Sequence, residues 1–416
     1  LNPVDQLAGD VAQRVARESY GKLIAILARR TRDVASAEDF LAEAFASALE
    51  SWPRTGVPNN PEAWLIAVAK RKHLDGLRQS QTRADSASHL QLLREEIEDM
   101  GLHQNNIPDD RLALMFACAH PAIDTDIRSP LMLQTVLGMT AEQIAAAFLV
   151  APATMGQRLA RAKAKIKLAG IPFRVPDQHE LSERLDAVLD AIYAMFNHGW
   201  TSFDAEENNL VEDAMWFSSL VVELQPDQPE TLGLSALMLF LHSRFRARRS
   251  AEGVFVPLAD QDVTLWDDEK IDLAEFLLRK ASEMNSIGRF QLEAAIQSAH
   301  VARRFASVTD WHVINQFYAI LFQLTGSPVV KLNWAYAIGE DSGWEVGLAA
   351  LPKIEEFPEL TNYQPYFAVR AALLEKCGQV LAAQQDYDKA IALEHDSEVR
   401  AFLAHKRDKL SLSTLQ

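Results

Sequence analysis

Residues 138–167 read GMTAEQIAAAFLVAPATMGQRLARAKAKIK, and this stretch decides the fold. Thr140 stands where a short helix carrying Ile144 and Phe148 needs an N-cap, because its hydroxyl can accept a free backbone N–H. The chain turns through Leu149 to Pro152, and a second helix is expected from Ala153 or Thr154. At about 100° per residue, Met155, Leu159, Ala162 and Ile166 share one stripe. Thr154, Arg158, Arg161 and Lys165 share its neighbour. The second helix can therefore pack on the first and still turn cations and a hydroxyl outward, which is the design of a helix-turn-helix. Five cations without an intervening acid, from Arg158 to Lys167, separate it from a plain amphipathic surface helix.

The same helical period runs outward in both directions. Strand alternation bounded by turn residues is nearly absent, so the whole chain reads as all-α. Residues 5–30 form a first amphipathic helix. Ser36 is the expected cap of a second, and acidic Glu38 and Asp39 fall in its first turn. Pro53, Gly56, Pro58 and Pro61 mark a stiff loop, with Pro61 opening the next helix. A polar stretch from Gln79 to Ser88 and a helix around Leu90 to Met100 follow, then helices over 109–119 and 127–137. From Leu181 the chain produces helix after helix: 181–197, 208–223, 228–247, 269–284, 288–305, 310–323, 327–339, 343–350, 362–376 and 380–393. At an offset of 35 residues Ala337 matches Ala372, Ile338 matches Leu373, Gly343 matches Gly378 and Gly347 matches Ala382. That spacing lies near the tetratricopeptide period; helical hairpins without repeat symmetry are the alternative.

Composition bounds the function. The chain has 416 residues, 48% apolar and 24% charged, enough to bury a core. Two cysteines, Cys118 and Cys377, exclude a disulfide framework or a thiolate metal cluster and suit a reducing cytoplasm. Leu1 to Asp10 has no basic stretch followed by an apolar run, so no secretory leader is expected, and no segment is long and apolar enough for a membrane span. The net charge of −16 argues against nucleic acid when taken whole. Divided at Val175, it becomes +1 before and −17 after. Fourteen of the 21 cations in the first part lie in three short clusters, around Arg29, Arg71 and Arg161. An asymmetry of this size indicates parts with different partners.

With these residues in place, a family likeness becomes legible. The segments DVASAEDFLAEAFASALESWP (33–53), PEAWLIAVAKRKHLDGLRQ (61–79) and 138–166 resemble, in order and spacing, regions 2 and 4 of the bacterial extracytoplasmic-function (ECF) sigma factors. The later wording, IPFRVP, AIYAMFNHGW, PETLGLSALMLFLHSRFRARR, ADQDVTLWD and FQLEAAIQSAHVA, resembles the ECF subgroup with a long tetratricopeptide-like C-terminal extension. The resemblance implies three domains: region 2 over 1–100, region 4 and a linker over 101–175, and an acidic helical extension over 176–416. It implies a subunit that joins core RNA polymerase through its clamp and flap regions, recognises promoter DNA and starts transcription. By the same resemblance Glu38, Asp39, Glu43 and Phe45 dock on polymerase. Trp64, Lys70, Arg71, Lys72 and Arg78 serve the −10 element, while Thr154, Gln157, Arg158, Arg161 and Lys165 face the −35 element. Gly156 departs from the bulkier or polar residue usual there, and glycine costs a helix about 1 kcal/mol relative to Ala.

Elementary chemistry agrees with those assignments. Holding unstacked bases needs a rigid loop, aromatic surfaces and cations, which Pro53 to Pro61, Trp52, Trp64 and Lys70-Arg71-Lys72 supply. Reading a major groove needs a helix with Arg for guanine and Lys for phosphate. Asp260, Asp262, Asp267 and Asp268 lack the central glycine and final glutamate of a calcium loop and read as helix caps. His120 and His198 are isolated, Cys118 has no paired histidine, and no nucleotide-loop or nucleophile motif occurs, so neither cofactor, metal nor catalysis is expected. The expected location is the cytoplasm. The acidic extension is expected to act in cis, through contact with the basic clusters or with polymerase. The rival reading is a DNA-binding regulator with a tetratricopeptide-type effector domain that acts without entering holoenzyme, and a third is a helical scaffold.

Overall fold

The apolar period of the sequence is realised as nineteen α-helices in the computed structural model, with no strand among the described residues. Those are residues 3–31, 33–81, 107–169, 176–201, 205–251, 253–306 and 308–413. The helix expected over Leu90 to Met100 lies outside them, as do the boundaries expected at 100 and 175. The chain divides into two compact units, Leu1–Ala194 and Met195–Gln416.

In the first unit, α1 (Pro3–Thr31), α2 (Val34–Thr55) and α3 (Pro61–Gln81) form a three-helix bundle. Its core takes Leu23, Ile24 and Leu27 from α1, Leu41, Ala44, Ala48 and Trp52 from α2, and Leu65 and Ala69 from α3. The cap of α2 is Asp33 rather than Ser36: the carboxylate accepts the N–H groups of Ala35 at 3.1 Å and Ser36 at 3.2 Å. The Ser36 hydroxyl instead donates to that carboxylate. A single carboxylate satisfies two free donors at once and carries the charge that the helix dipole favours, so the earlier start wins. Pro53 likewise does not open the loop. It sits in the last turn of α2, which runs on to Thr55 and stops at Gly56, with φ +84°. Pro53 forfeits only the bond to Leu49, an exposed residue. The loop thus shrinks to Gly56–Asn60, and the Asn60 side chain caps α3 by accepting Ala63 N–H at 3.0 Å.

Next come α4 (Asp110–Cys118), α5 (Thr125–Leu137), α6 (Ala141–Ala147), α7 (Pro152–Ala169) and α8 (Leu181–Thr201). Leu112 to Cys118 of α4 are all buried, and α1 packs on α4 and α5. Contact between α1 and α5 is backbone-close: a Cβ added at Gly21 would lie 1.8 Å from the Val136 carbonyl oxygen. The start of α8 completes this unit. Arg184, only 1% exposed, donates to the Phe116 carbonyl at 3.1 Å and pairs with Glu180. Ser129 donates to the Ala187 carbonyl at 3.0 Å.

The second unit contains α9 (Ala205–Leu224), α10 (Pro229–Ser243), α11 (Asp268–Glu283), α12 (Arg289–Val301), α13 (Arg303–Ala306), α14 (Trp311–Thr325) and α15 (Pro328–Ser342). It ends with α16 (Trp344–Ala350), α17 (Gln364–Lys376), α18 (Val380–Leu393) and α19 (Ser397–Ser413). Thr231 to Phe240 of α10 are buried on every side, because α9, α11 and α12 surround them. The helix expected over 228–247 stops at Ser243 and passes into a 3-10 turn, Phe245–Arg248. The 35-residue offset corresponds to two helical hairpins, α15–α16 and α17–α18. Gly343 and Gly378 take φ +108° and +71° at their turns, conformations that favour glycine. The copies are unequal, for α16 has 7 residues and α18 has 14. Asp262 and Asp267 act as caps, accepting Thr264 N–H at 2.9 Å and Lys270 N–H at 3.1 Å.

Two tests follow from this packing. Gly21→Ala should cost about 1–3 kcal/mol, the usual penalty of overpacking, read as a lowered urea midpoint for the first unit. In the second unit, burial and then Arg244 and Arg303 push the His300 pKa down to about 3. The folded ring stays neutral while the unfolded one protonates near 6.5, so stability present above pH 6.5 is lost progressively as pH falls toward 3. His300→Gln should flatten the fall of the urea midpoint between pH 6.5 and 4.5.

Candidate nucleic-acid interface

A reciprocal cap starts α6: the Thr140 hydroxyl accepts Gln143 N–H at 3.2 Å and the Gln143 side chain accepts Thr140 N–H at 2.8 Å. The turn that follows carries Leu149 at φ +52°, a left-handed conformation uncommon outside glycine. Helix α7 begins at Pro152, one residue before the expected start, since proline is suited to a first helical turn. Met155, Leu159, Ala162 and Ile166 are buried, and Thr154, Gln157, Arg158, Arg161 and Lys165 are exposed. Gly156 lies within an unbroken α7. A Cβ there would meet Ala141 at 3.9 Å, an ordinary contact.

One cation of α7 lies off the outward row. Lys163 reaches back to α2 and donates to both Glu38 oxygens at 2.8 Å, with side-chain exposures of 23% and 19% for the pair. Glu38 thus lies among α2, α4 and α7. Burial and then Glu38 push the Tyr20 hydroxyl up to about 12, and the Cys118 thiol is raised for the same two reasons in the same order. Lys165 is also paired, with Asp124 at 3.0 Å, but both remain exposed. The sequence placed Lys163 in the basic cluster and Glu38 on another helix. Nothing local connects positions 125 residues apart.

On the bundle, Trp64 is half-buried and meets buried Trp52 edge to face, centroids 5.4 Å apart. Part of its ring therefore belongs to the core and part stays open. Lys70 is half-buried, Arg71 is exposed, and Lys72 is exposed and 3.4 Å from Glu43. Arg78 lies on α3 with its side chain outside the described residues. Asp39 and Glu43 are exposed one turn apart on α2, and Phe45 is half-buried. Sequence reasoning missed Glu62, which accepts from Ser19 at 2.6 Å and from Lys22 at 3.0 Å; these two bonds hold its carboxyl below the usual range. Asp177, His179 and Glu180 lie close together, but Glu180 already caps the Asp177 N–H and pairs with Arg184.

Residues 15–83 match the sigma-70 region 2 model, and residues 184–282 match a family of unknown function, DUF6596. Residues 15–83 thus carry a sigma-70 region 2, which supports a sigma-70 family factor and implies engagement of core RNA polymerase and promoter DNA in transcription initiation. The whole chain is similar to an uncharacterized protein of Rhizobium meliloti (strain 1021), 38% identical over 396 residues and covering 92% of each chain. No solved structure matches it. Among the described residues no helix is long and apolar enough to cross a membrane.

The Glu38–Lys163 pair is half-buried and bonds through both carboxylate oxygens. A double-mutant cycle of Glu38→Ala and Lys163→Ala should return a coupling of about 1 kcal/mol, measured by denaturant unfolding. Lys165 with Asp124, fully in solvent, should return a few tenths at most.

Proposed function

We propose that this protein is an ECF-type sigma factor that joins core RNA polymerase and reads −35 and −10 promoter elements, with a tetratricopeptide-like extension that regulates it in cis. The observation that carries this reading is the outward row Thr154, Gln157, Arg158 and Arg161 over the buried stripe of α7, in a chain that also bears sigma-70 region 2. Arginine on a helix that can enter a major groove suits guanine O6 and N7. In the proposed division, residues 1–100 dock on the polymerase clamp and handle the −10 element. There Glu38, Asp39, Glu43 and Phe45 face polymerase, and Trp64, Lys70, Arg71, Lys72 and Arg78 face DNA. Residues 101–175 read the −35 element and meet the flap, with Lys165 as a phosphate contact. Residues 176–416 form the regulatory part, and the −17 charge beyond Val175 supports a role other than holding DNA. The closed first unit is the resting form, in which Lys163 occupies Glu38.

Purified full-length protein, core polymerase and a pool of genomic DNA fragments should give transcripts from a recurring pair of upstream elements. Arg158→Ala and Arg71→Ala should each lower output by about 5- to 150-fold, the equivalent of 1–3 kcal/mol for a lost base contact. DNA binding by the chain alone, without any transcript that depends on it, would favour the rival regulator. Truncation after Thr201 retains Arg184 and Ala187 of the first unit. It should change output from the same promoters, and unchanged output would rule out regulation in cis.

A further inference from the structure

Glu62 stands at the second position of α3, between the Asn60 cap and Trp64. The helix dipole favours an acid in a first turn, but that effect needs no particular partner. Here the carboxylate turns to α1 and uses both oxygens. One accepts the Ser19 hydroxyl at 2.6 Å and the other the Lys22 ammonium at 3.0 Å. Ser19 is only 8% exposed, so its hydroxyl depends on this acceptor where water would not readily replace it. Lys22 is 60% exposed, and its pairing counts for less. These bonds, that of Ser19 first, hold the Glu62 carboxyl below its usual range, and the charged form is the stronger acceptor. Helix α1 is a firm anchor at this level. Gly21, between the two donors, lies so near α5 that an added Cβ would stand 1.8 Å from the Val136 carbonyl oxygen.

What the anchor holds is the Gly56–Asn60 loop. At one end the Gly56 N–H donates to the Trp52 carbonyl at 2.9 Å. At the other, the Asn60 carbonyl accepts Trp64 N–H at 3.2 Å and its side chain accepts Ala63 N–H at 3.0 Å. The Trp64 ring rests edge to face on Trp52, centroids 5.4 Å apart. Loop and ring thus lean on the last turn of α2, and one edge-to-face contact lets the start of α3 pivot about it. A bond from that same turn of α3 to a second helix removes the freedom. Groups that hold a bound partner need neighbours that fix them to within about 0.5 Å.

We propose that Glu62 is a positioning residue for the −10 element: bonded to Ser19, it fixes the first turn of α3, and with it the Gly56–Asn60 loop and the Trp64 ring. This role rests on the sigma-factor reading above and adds to it a residue that acts through others rather than on DNA.

The test uses full-length protein, core polymerase and a promoter recovered from the genomic pool. Output from the intact template is divided by output from copies altered at the −10 or at the −35 element. Neither ratio depends on the active fraction of the protein. Glu62→Ala and Ser19→Ala should each lower the −10 ratio about tenfold, as small displacements of a working geometry do. Permanganate reactivity of the −10 thymines should fall with it, and the −35 ratio should stay at the wild-type value. Ser19→Ala removes a single oxygen atom, so it reports even where Glu62→Ala fails to fold. Glu62→Gln keeps an oxygen for Ser19 and loses only the exposed charge pair, so its −10 ratio should stay within about twofold of wild type. A merely structural bond would lower the yield of active protein and leave both ratios in place. A −10 ratio unchanged by Ser19→Ala, a −35 ratio that falls in step with it, or a loss as deep in Glu62→Gln as in Glu62→Ala overturns the proposal. Wild-type protein that gives no promoter-dependent transcript overturns the sigma reading and this role together, so the two failures are told apart.

Discussion

The approach of α1 to the end of α5 constrains the first unit more than any other contact. At Gly21 the two backbones leave no space for a side chain, so the three-helix bundle and the helices behind it pack as one unit. That closeness puts Tyr20 against the Gly138 turn, where an added Cβ would lie 3.2 Å from its ring. The same turn starts α6, and α6 supports α7. The outward row on α7 is thus aimed by a chain of contacts that begins on the first helix. Lys163 then closes the arrangement from the far side by bonding Glu38.

Much of this was legible in advance wherever the cause is local. The Thr140 cap and the buried stripe of α7 follow from spacing within thirty residues and are found where the period puts them, while the turn from Leu149 ends one residue early because Pro152 already belongs to α7. Gly343 and Gly378 match at an offset of 35 residues, and both take a positive φ at the turns of the two hairpins. Errors arose where two local signals compete. Asp33 and Ser36 are both good caps, and the choice turns on which reaches two N–H groups. Pro53 reads as a breaker, yet a proline in a last turn loses a single bond on a solvent-facing side.

The remaining features have no local signature. Gly21 inside a helix looks like a weak point until Val136 is seen beside it. The Glu38–Lys163 bond joins positions on different helices, each of which had a sufficient role of its own in the sequence. Arg244 was one cation in an Arg-rich run, and only folding reveals that it is buried while Arg246, two residues on, is exposed. Charge counting encounters the same limit. A total of −16 concealed a nearly neutral first part, and −17 in turn conceals an interior cluster of arginines.

The concentration of acidic charge in the second part of the chain has a physical consequence for selectivity. A strongly negative surface repels polyanions at long range, with a reach of about 8–10 Å at physiological salt, so nucleic acid is held off the second unit while a small anion suffers far less. The first unit follows a different rule, with no large net charge and its cations gathered in short clusters, one of them on the exposed face of α7 with Arg158 and Arg161. On the proposed reading such a face contributes orientation and base contacts more than bulk affinity, with polymerase as the source of much of the binding energy.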